Sequence, residues 1–425
     1  MLVYVEKITD RVRYTFEFIF EIQDIQYELT DNYGKFLIED GLKFNYSKLN
    51  NDDIPGLIPS VLLFETNIRN FALDKEIFNS EFCLTFDGII DPIASVFFVL
   101  SRYEEYLTYE RDHHNRFTSF QSINYKFDWL SKLTCDRWSK DILEFIYKGN
   151  GKEFMFVPKA VAIIPTFDID NAFAYKNKSL VRRILSFSKD LVNLNFSRIQ
   201  ERSKVLKGKN IDPYDTYDRI KEISKSFQVY VFWLLGDFSK YDKNLPSSNF
   251  QQQKLIRKLS GFLNIGIHPS YQSSNNLSQL ELEIQRLNSI IKTDIDYSRN
   301  HFLKLCLPDT YESLIKLNIK HDFTMGYAEQ PGFRSGTVRS HKWFNLLQNK
   351  ATDLTIHPFT YMDGTLNEYM KLTVDDALKV IGKLYEEIER FGGEFSFIWH
   401  NETINNMGKW KDWEQVLDYS LNLKK

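Results

Sequence analysis

Residues 161–170 read VAIIPTFDID, an apolar run that closes on two carboxylates, Asp168 and Asp170. A short, continuous apolar run of this kind reads as a strand buried on both faces. Strand residues two apart point to the same side, roughly 6.6 Å apart along the chain. Asp168 and Asp170 therefore face one space, with Ile169 packed on the other side. Two acids held together raise each other's pKa unless a cation lies beside them. The stretch thus predicts a core strand whose end carries chemistry.

Further runs follow it: VYVFWLLG (229–236), LNIGIHPS (263–270), IDYSRNHFLKL (295–305), HDFTMGY (321–327), DLTIHPF (353–359) and FSFIWHN (395–401). Between several of them lie amphipathic stretches such as QLELEIQRLNSIIK (279–292) and VDDALKVIGKLYEEIERFG (374–392). Apolar strands separated by helices imply a parallel sheet covered on both faces. We expect an α/β fold, a distorted (β/α) barrel of about seven parallel strands over 156–425. An open doubly wound sheet is the alternative, but no glycine-rich phosphate loop follows the first strand, where that fold usually has one.

Residues 1–155 have a different texture and read as a smaller mixed α+β domain whose role the sequence does not give. VRYTFEFIFEIQ (12–23) alternates like a strand, and PSVLLFE (59–65) suggests another. IIDPIASVFFVLSRYEEYLTY (89–109) reads as a helix with Pro92 at its first position, and CDRWSKDILEFIYK (135–148) as a second helix. The adjacent His113 and His114 read as a solvated pair.

The bulk numbers exclude several classes. The 425 residues are 43% hydrophobic and carry a net charge of −3, so a large core is affordable and no global field invites nucleic acid. Three scattered cysteines give neither a disulfide framework nor a zinc knuckle, and read as core thiols. No run reaches the roughly 18 apolar residues of a membrane span. The first residues have charges within their apolar stretch and no basic region before it, so a cytoplasmic placement is expected. One stretch departs from the average: residues 179–209 hold eight Lys or Arg against Asp190 and Glu201. It reads as a solvated helical face, or as a basic flap that attracts an anionic substrate or a membrane surface.

Parallel barrels carry their chemistry at the carboxyl ends of strands. Here those ends offer Asp168, Asp170, His268, Arg299, His301, Asp322, His357 and His400, and four of the chain's eight histidines are among them. Carboxylate with imidazole suits Zn, and also Co, Ni, Fe or Mn. Such an ion lowers the pKa of a bound water to about 7 and polarises a carbonyl. Taken singly, each residue has a plainer reading: Asp170 as a helix N-cap, His268 and His357 as hydrogen-bonded groups beside proline, Arg299 as an ion-pair residue.

TFDID, HPSYQS, SRNHF and IWH, in this order, are similar to the motifs of the polysaccharide deacetylases, the NodB-like carbohydrate esterases. The resemblance spans about residues 160–402, and is nearer to a divergent deacetylase-like branch with an extra N-terminal domain. It implies that Asp168 is the base, Asp170 and His268 are metal ligands, and His400 is the general acid. It departs from the family at Gln272, which stands where a second histidine ligand is usual, and His301 is the candidate replacement. Arg299, or Arg334 in GFRSGT, would orient the base, and His357 is a further candidate for acid or ligand. The resemblance implies a metal-dependent hydrolase that removes an acyl group, N-acetyl in the first instance, from a sugar or glycan precursor, which an anionic group would suit. Two alternatives stay open: a non-catalytic glycan-binding or scaffold protein on a degenerate barrel, and a hydrolase of a non-sugar amide.

Overall fold

The computed structural model describes residues 1–49, 51–107 and 109–423. Two small sheets occupy the N-terminal part. The first has the order β2-β1-β3-β4 and is parallel, built from β1 (Leu2–Val5), β2 (Glu28–Thr30), β3 (Lys43–Tyr46) and β4 (Gly56–Leu57). The second is an antiparallel meander of β5 (Leu73–Phe78), β6 (Glu81–Phe86) and β7 (Ile89–Ile90).

Three N-terminal expectations are overturned, one being the solvated histidine pair, since His114 is buried with its ring against Tyr271 and Phe302. The alternating stretch is a helix, Asp10–Glu21, not a strand. Thr9 caps it by accepting from the Val12 amide, and Val12, Phe16, Ile19 and Phe20 are buried on one face. Tyr14 and Phe18 are buried on its other sides, so helical and alternating patterns coincide in this run. Residues 59–65 form a turn rather than a strand. The two expected helices are present, Pro92–Leu100 with Pro92 at its start and Thr134–Gly149.

The larger sheet has nine strands in the order β13-β14-β12-β11-β10-β9-β8-β16-β15. They are β8 (Val161–Ile169), β9 (Tyr230–Trp233), β10 (Asn264–Ile267), β11 (Tyr297–Ser298), β12 (His321–Asp322), β13 (His341–Asn345), β14 (Lys350–Ile356), β15 (Tyr361–Met362) and β16 (Gly393–His400). All neighbours are parallel except β13, which is antiparallel to β14. The fold is thus α/β with a largely parallel sheet, but a closed ring of seven strands is not what the ladders draw. One segment, residues 350–362, reaches both flanks: β14 pairs with β12 through Thr355 and Ile356, and β15 pairs with β16 at the segment's end. Helices such as Leu277–Ile291 and Val374–Glu389 lie between strands, as the periodicity predicts.

The sheet's two faces differ. Phe167, Ile169, Val231, Trp233 and Ile267 belong to the main core against the helices. Ile164, Tyr230, Phe232 and Phe323 form a separate cluster on the opposite side, beneath the strand ends. Gly266 makes this packing feasible, because a Cβ there would lie 2.7 Å from the Phe232 ring and 2.8 Å from the Tyr297 carbonyl. The strand ends stand above this aromatic plug, and there the polar residues converge.

Candidate metal centre

Asp168 is the last but one residue of β8, where it lies in register with His400 of β16 and Phe232 of β9. Its Oδ1 accepts from Arg299 at 3.0 Å. The same guanidinium donates to Thr166 Oγ1 at 2.7 Å and to the Phe323 carbonyl at 3.0 Å. It lies 4.6 Å from the Phe232 ring centroid and is wholly buried. Burial pulls the Arg299 pKa down, and the charge of Asp168 opposes that pull. Asp168 is thus held by a fixed cation from below, which leaves its second oxygen on the open side.

Asp170, one step beyond the strand, faces two imidazoles. His268 Nε2 is 3.4 Å from its Oδ1, and His301 Nε2 is 3.4 Å from its Oδ2. Ligand atoms of the three residues all lie within 4.8 Å of one another. Each ring is fixed by its other nitrogen. His268 Nδ1 is 2.5 Å from the Arg299 carbonyl, which can only accept, so Nδ1 carries the proton. His301 Nδ1 is 2.9 Å from Asp242 Oδ1, and Asp242 itself accepts from Ser239 Oγ and the Tyr271 amide. Both rings therefore present Nε2 to a common point, an arrangement typical of metal-ligating histidines with their supporting acceptors.

This cluster fits a divalent ion by a test internal to the molecule. Asp170 Oδ1 is buried and accepts no hydrogen bond. Leaving such an oxygen unpaired costs about 1–3 kcal/mol, more if it is charged, and an ion between it and the two Nε2 atoms would satisfy it. Charge in the metal-free protein is balanced otherwise. Burial opposes ionisation of Asp170, but the charge of His301, with that of His400 further off, outweighs it and holds its pKa well below the usual carboxylate range. Burial likewise disfavours charge on His301, but Asp170 and Asp242 raise its pKa from 6.5 to about 9. The nearest partners of the two acids differ: Arg299 lies against Asp168, and His301 and His268 against Asp170, with His268 also 3.9 Å from Asp168.

A pH dependence follows. The folded His301 pKa is above the free value of 6.5, so its pairing stabilises the metal-free protein fully below that value, and the effect is lost as pH rises through about 9. An ion bound at Nε2 takes the place of that proton. Calorimetric titration with Zn²⁺ near neutral pH, in buffers of different ionisation enthalpy, is expected to show release of about one proton per ion. Binding without proton release would contradict this placement of His301.

His400, at the end of β16, faces the same cavity of about 180 Å³ as Asp168, Asp170, His268 and His301. Its Nδ1 lies 2.9 and 3.1 Å from the two oxygens of Asp363. Asp363 also accepts from the His400 amide and from Thr403 Oγ1. Burial works against the charged ring, but Asp363, with Asp170 and Asp168 further off, raises its pKa well above 6.5. His400 thus carries a proton at neutral pH with Nε2 free for a ligand.

Two candidates do not join this group. Arg334 is paired with Glu105 at 2.6 and 3.0 Å and donates to the Gly326 carbonyl, so it has no contact with Asp168. His357 follows β14, with its ring 3.0 Å from Glu394 and 3.0 Å from His321. Glu394 begins β16 whereas His400 ends it, so His357 lies at the opposite end of the sheet. Gln272 is exposed and takes no part. Asp242, in a loop, and Asp363, in the helical turn that follows β15, orient the two rings and carry no periodic or motif signal. Arg116, Tyr369 and Trp410 also line the cavity, and Arg116 comes from the N-terminal part.

Comparisons with known proteins place the chain as follows. Residues 1–149 match the model described as a family of unknown function (DUF7033). No curated protein matches the chain in sequence. Among solved structures, a candidate polysaccharide deacetylase from Mycobacterium smegmatis superposes at 12% identity with a TM-score of 0.39, covering 63% of this chain and 87% of that one. A polysaccharide deacetylase from Bacillus cereus does so at 8% identity and 0.30, covering 62% and 87%. A mutant CE4 family pseudoenzyme with restored enzymatic activity does so at 8% and 0.29, covering 63% and 65%.

Proposed function

We propose that the chain is a metal-dependent hydrolase that removes an acyl group, N-acetyl in the first instance, from a sugar or glycan precursor. The carrying observation is the meeting of Asp170, His268 and His301 around a buried oxygen without a hydrogen bond, with Asp168 on one side and the His400 imidazole on the other. A divalent ion held by these three residues, Zn²⁺ first, would polarise the acyl carbonyl and acidify a water.

The remaining steps belong to the chain's own side chains. Asp168, fixed by Arg299, takes the proton from the attacking water. His400, fixed by Asp363, gives a proton to the departing amine. The small cavity admits an acyl group and the edge of one sugar, and Trp410 and Tyr369 offer aromatic surfaces for the apolar face of a pyranose. With His301 beside Asp170, exposed Gln272 leaves the ligand set intact, which weighs against a purely glycan-binding scaffold.

Acetate release from N-acetylated hexosamine oligosaccharides, measured with and without Zn²⁺ after chelation, tests the reading. Metal-dependent release is expected, and chelation is expected to lower it by at least about a hundredfold. Equal release in both conditions, or none with metal bound, would overturn it.

A further inference from the structure

The helix Leu180–Val192 is attached the wrong way round for a soluble protein. At 100° per residue, Leu180, Val181, Ile184, Leu185, Phe187, Leu191 and Val192 fall within an arc of roughly 160°, interrupted only by Ser188. That arc faces solvent: Leu180 is 72% exposed, Ile184 57%, Leu185 64% and Val192 81%. The polar side is the one that packs. Arg182 donates to the Asn244 carbonyl at 2.8 Å and stacks on Phe238, and Ser186 and Asp190 both pair with Arg202 of the next helix, Phe196–Leu206. Leu194 and Phe196, in and just after the turn between the helices, extend the exposed apolar surface at 71% and 61%. A soluble monomer rarely leaves such a contiguous patch bare.

Charge tells what covers it. Arg183 and Lys189 border the apolar arc on its two sides, and Lys204, Lys207 and Lys209 are exposed nearby. The two acids of the stretch leave these cations in excess: Asp190 is buried against Arg202, and Glu201, which accepts from Tyr175, is the one other negative charge. A second copy seated on the same patch would place these cations against their own kind. An anionic bilayer meets both features, since apolar side chains enter the acyl boundary while Lys and Arg reach the headgroups.

A second cavity, of about 740 Å³, is lined by Asn195, Ser197, Arg198 and Lys204 of this same helical pair. It shares Glu368, Glu402 and Trp410 with the first cavity, so one groove runs from the polar side of the second helix to the metal centre.

We infer that the helical pair 180–206 docks the protein on an anionic membrane surface, so that the groove receives a glycan tethered to that membrane. The choice of substrate rests on the hydrolase reading, whereas the docking does not.

Co-sedimentation with phosphatidylcholine vesicles containing about one third phosphatidylglycerol tests the docking, with pure phosphatidylcholine as the reference. Binding to the anionic vesicles is expected, weakened by salt, and reduced more than tenfold by Ile184→Glu with Leu185→Glu. Both positions are exposed, so the doubly substituted protein is expected to fold and to bind Zn²⁺ like the parent. Vesicle binding is expected to survive Asp170→Ala, which separates failure of the metal centre from failure of the docking surface. Absence of vesicle binding, equal binding by the doubly substituted protein, or a dimer that the same substitutions turn into a monomer would overturn the inference.

Discussion

Asp168→Asn is expected to lower kcat for acyl hydrolysis by about 10²–10⁴-fold, the usual contribution of a positioned general base, while Zn²⁺ still binds stoichiometrically. The substitution keeps the shape of the side chain and an oxygen able to accept from Arg299 at the observed 3.0 Å position. What it removes is the second, basic oxygen on the cavity side. It also leaves the Arg299 guanidinium buried without its anionic partner, so the unfolding midpoint must be recorded alongside the rate. The contrast is Asp170→Ala, which takes away the carboxylate that both Nε2 atoms face. That variant is expected to lose the ion and the activity together. Parent-like turnover by metal-loaded Asp168→Asn would remove Asp168 from the reaction.

Glu105→Ala carries the largest expected effect on stability, roughly 3–5 kcal/mol, the typical result of breaking a buried ion pair from one side. Glu105 is 2% exposed and receives Arg102 at 2.8 Å and Arg334 at 2.6 and 3.0 Å. Arg102 also reaches Tyr327 at 3.0 Å and the Arg334 carbonyl. Its remaining carboxylate partner is Glu104, but Arg334 has no other ion pair among the described residues. Removal of Glu105 would therefore strand a guanidinium in the interior, between the N-terminal part and the loop after β12. The urea midpoint reads this directly, and a change below about 1 kcal/mol would mean that water reaches the site and solvates the arginines.

How far this was readable in advance depends on what each residue reports. Asp168, Asp170, His268, Arg299, His301 and His400 are met in the sequence at the ends of apolar runs, and that position alone predicts a shared rim. His357 shows the limit of the rule. It also ends an apolar run, but the run continues through residues 357–360 to β15, so it lies mid-segment and its ring turns toward Glu394. Arg334 could not be placed because its partner, Glu105, is 229 positions away, a separation no local pattern encodes. Asp242 and Asp363 escaped for the same reason: each acts only through the ring it orients, and acids in loops and turns are common. The strand-like reading of residues 12–23 failed because a helix buried on most sides also shows apolar residues at every second position.

The pairing of β8 with β16 has a consequence for how the chain is made. Thr166 donates to the carbonyl of Phe397, 231 positions later, and β8 lies in register with β16 over residues 161–168. Until residues 393–400 arrive, that side of an apolar strand stays open, the kind of edge that recruits other chains. Contacts so distant in sequence also slow folding, which prolongs the exposure. The negative charges at its end would then act as gatekeepers during synthesis, guarding the edge against aggregation before they have any chemistry to perform.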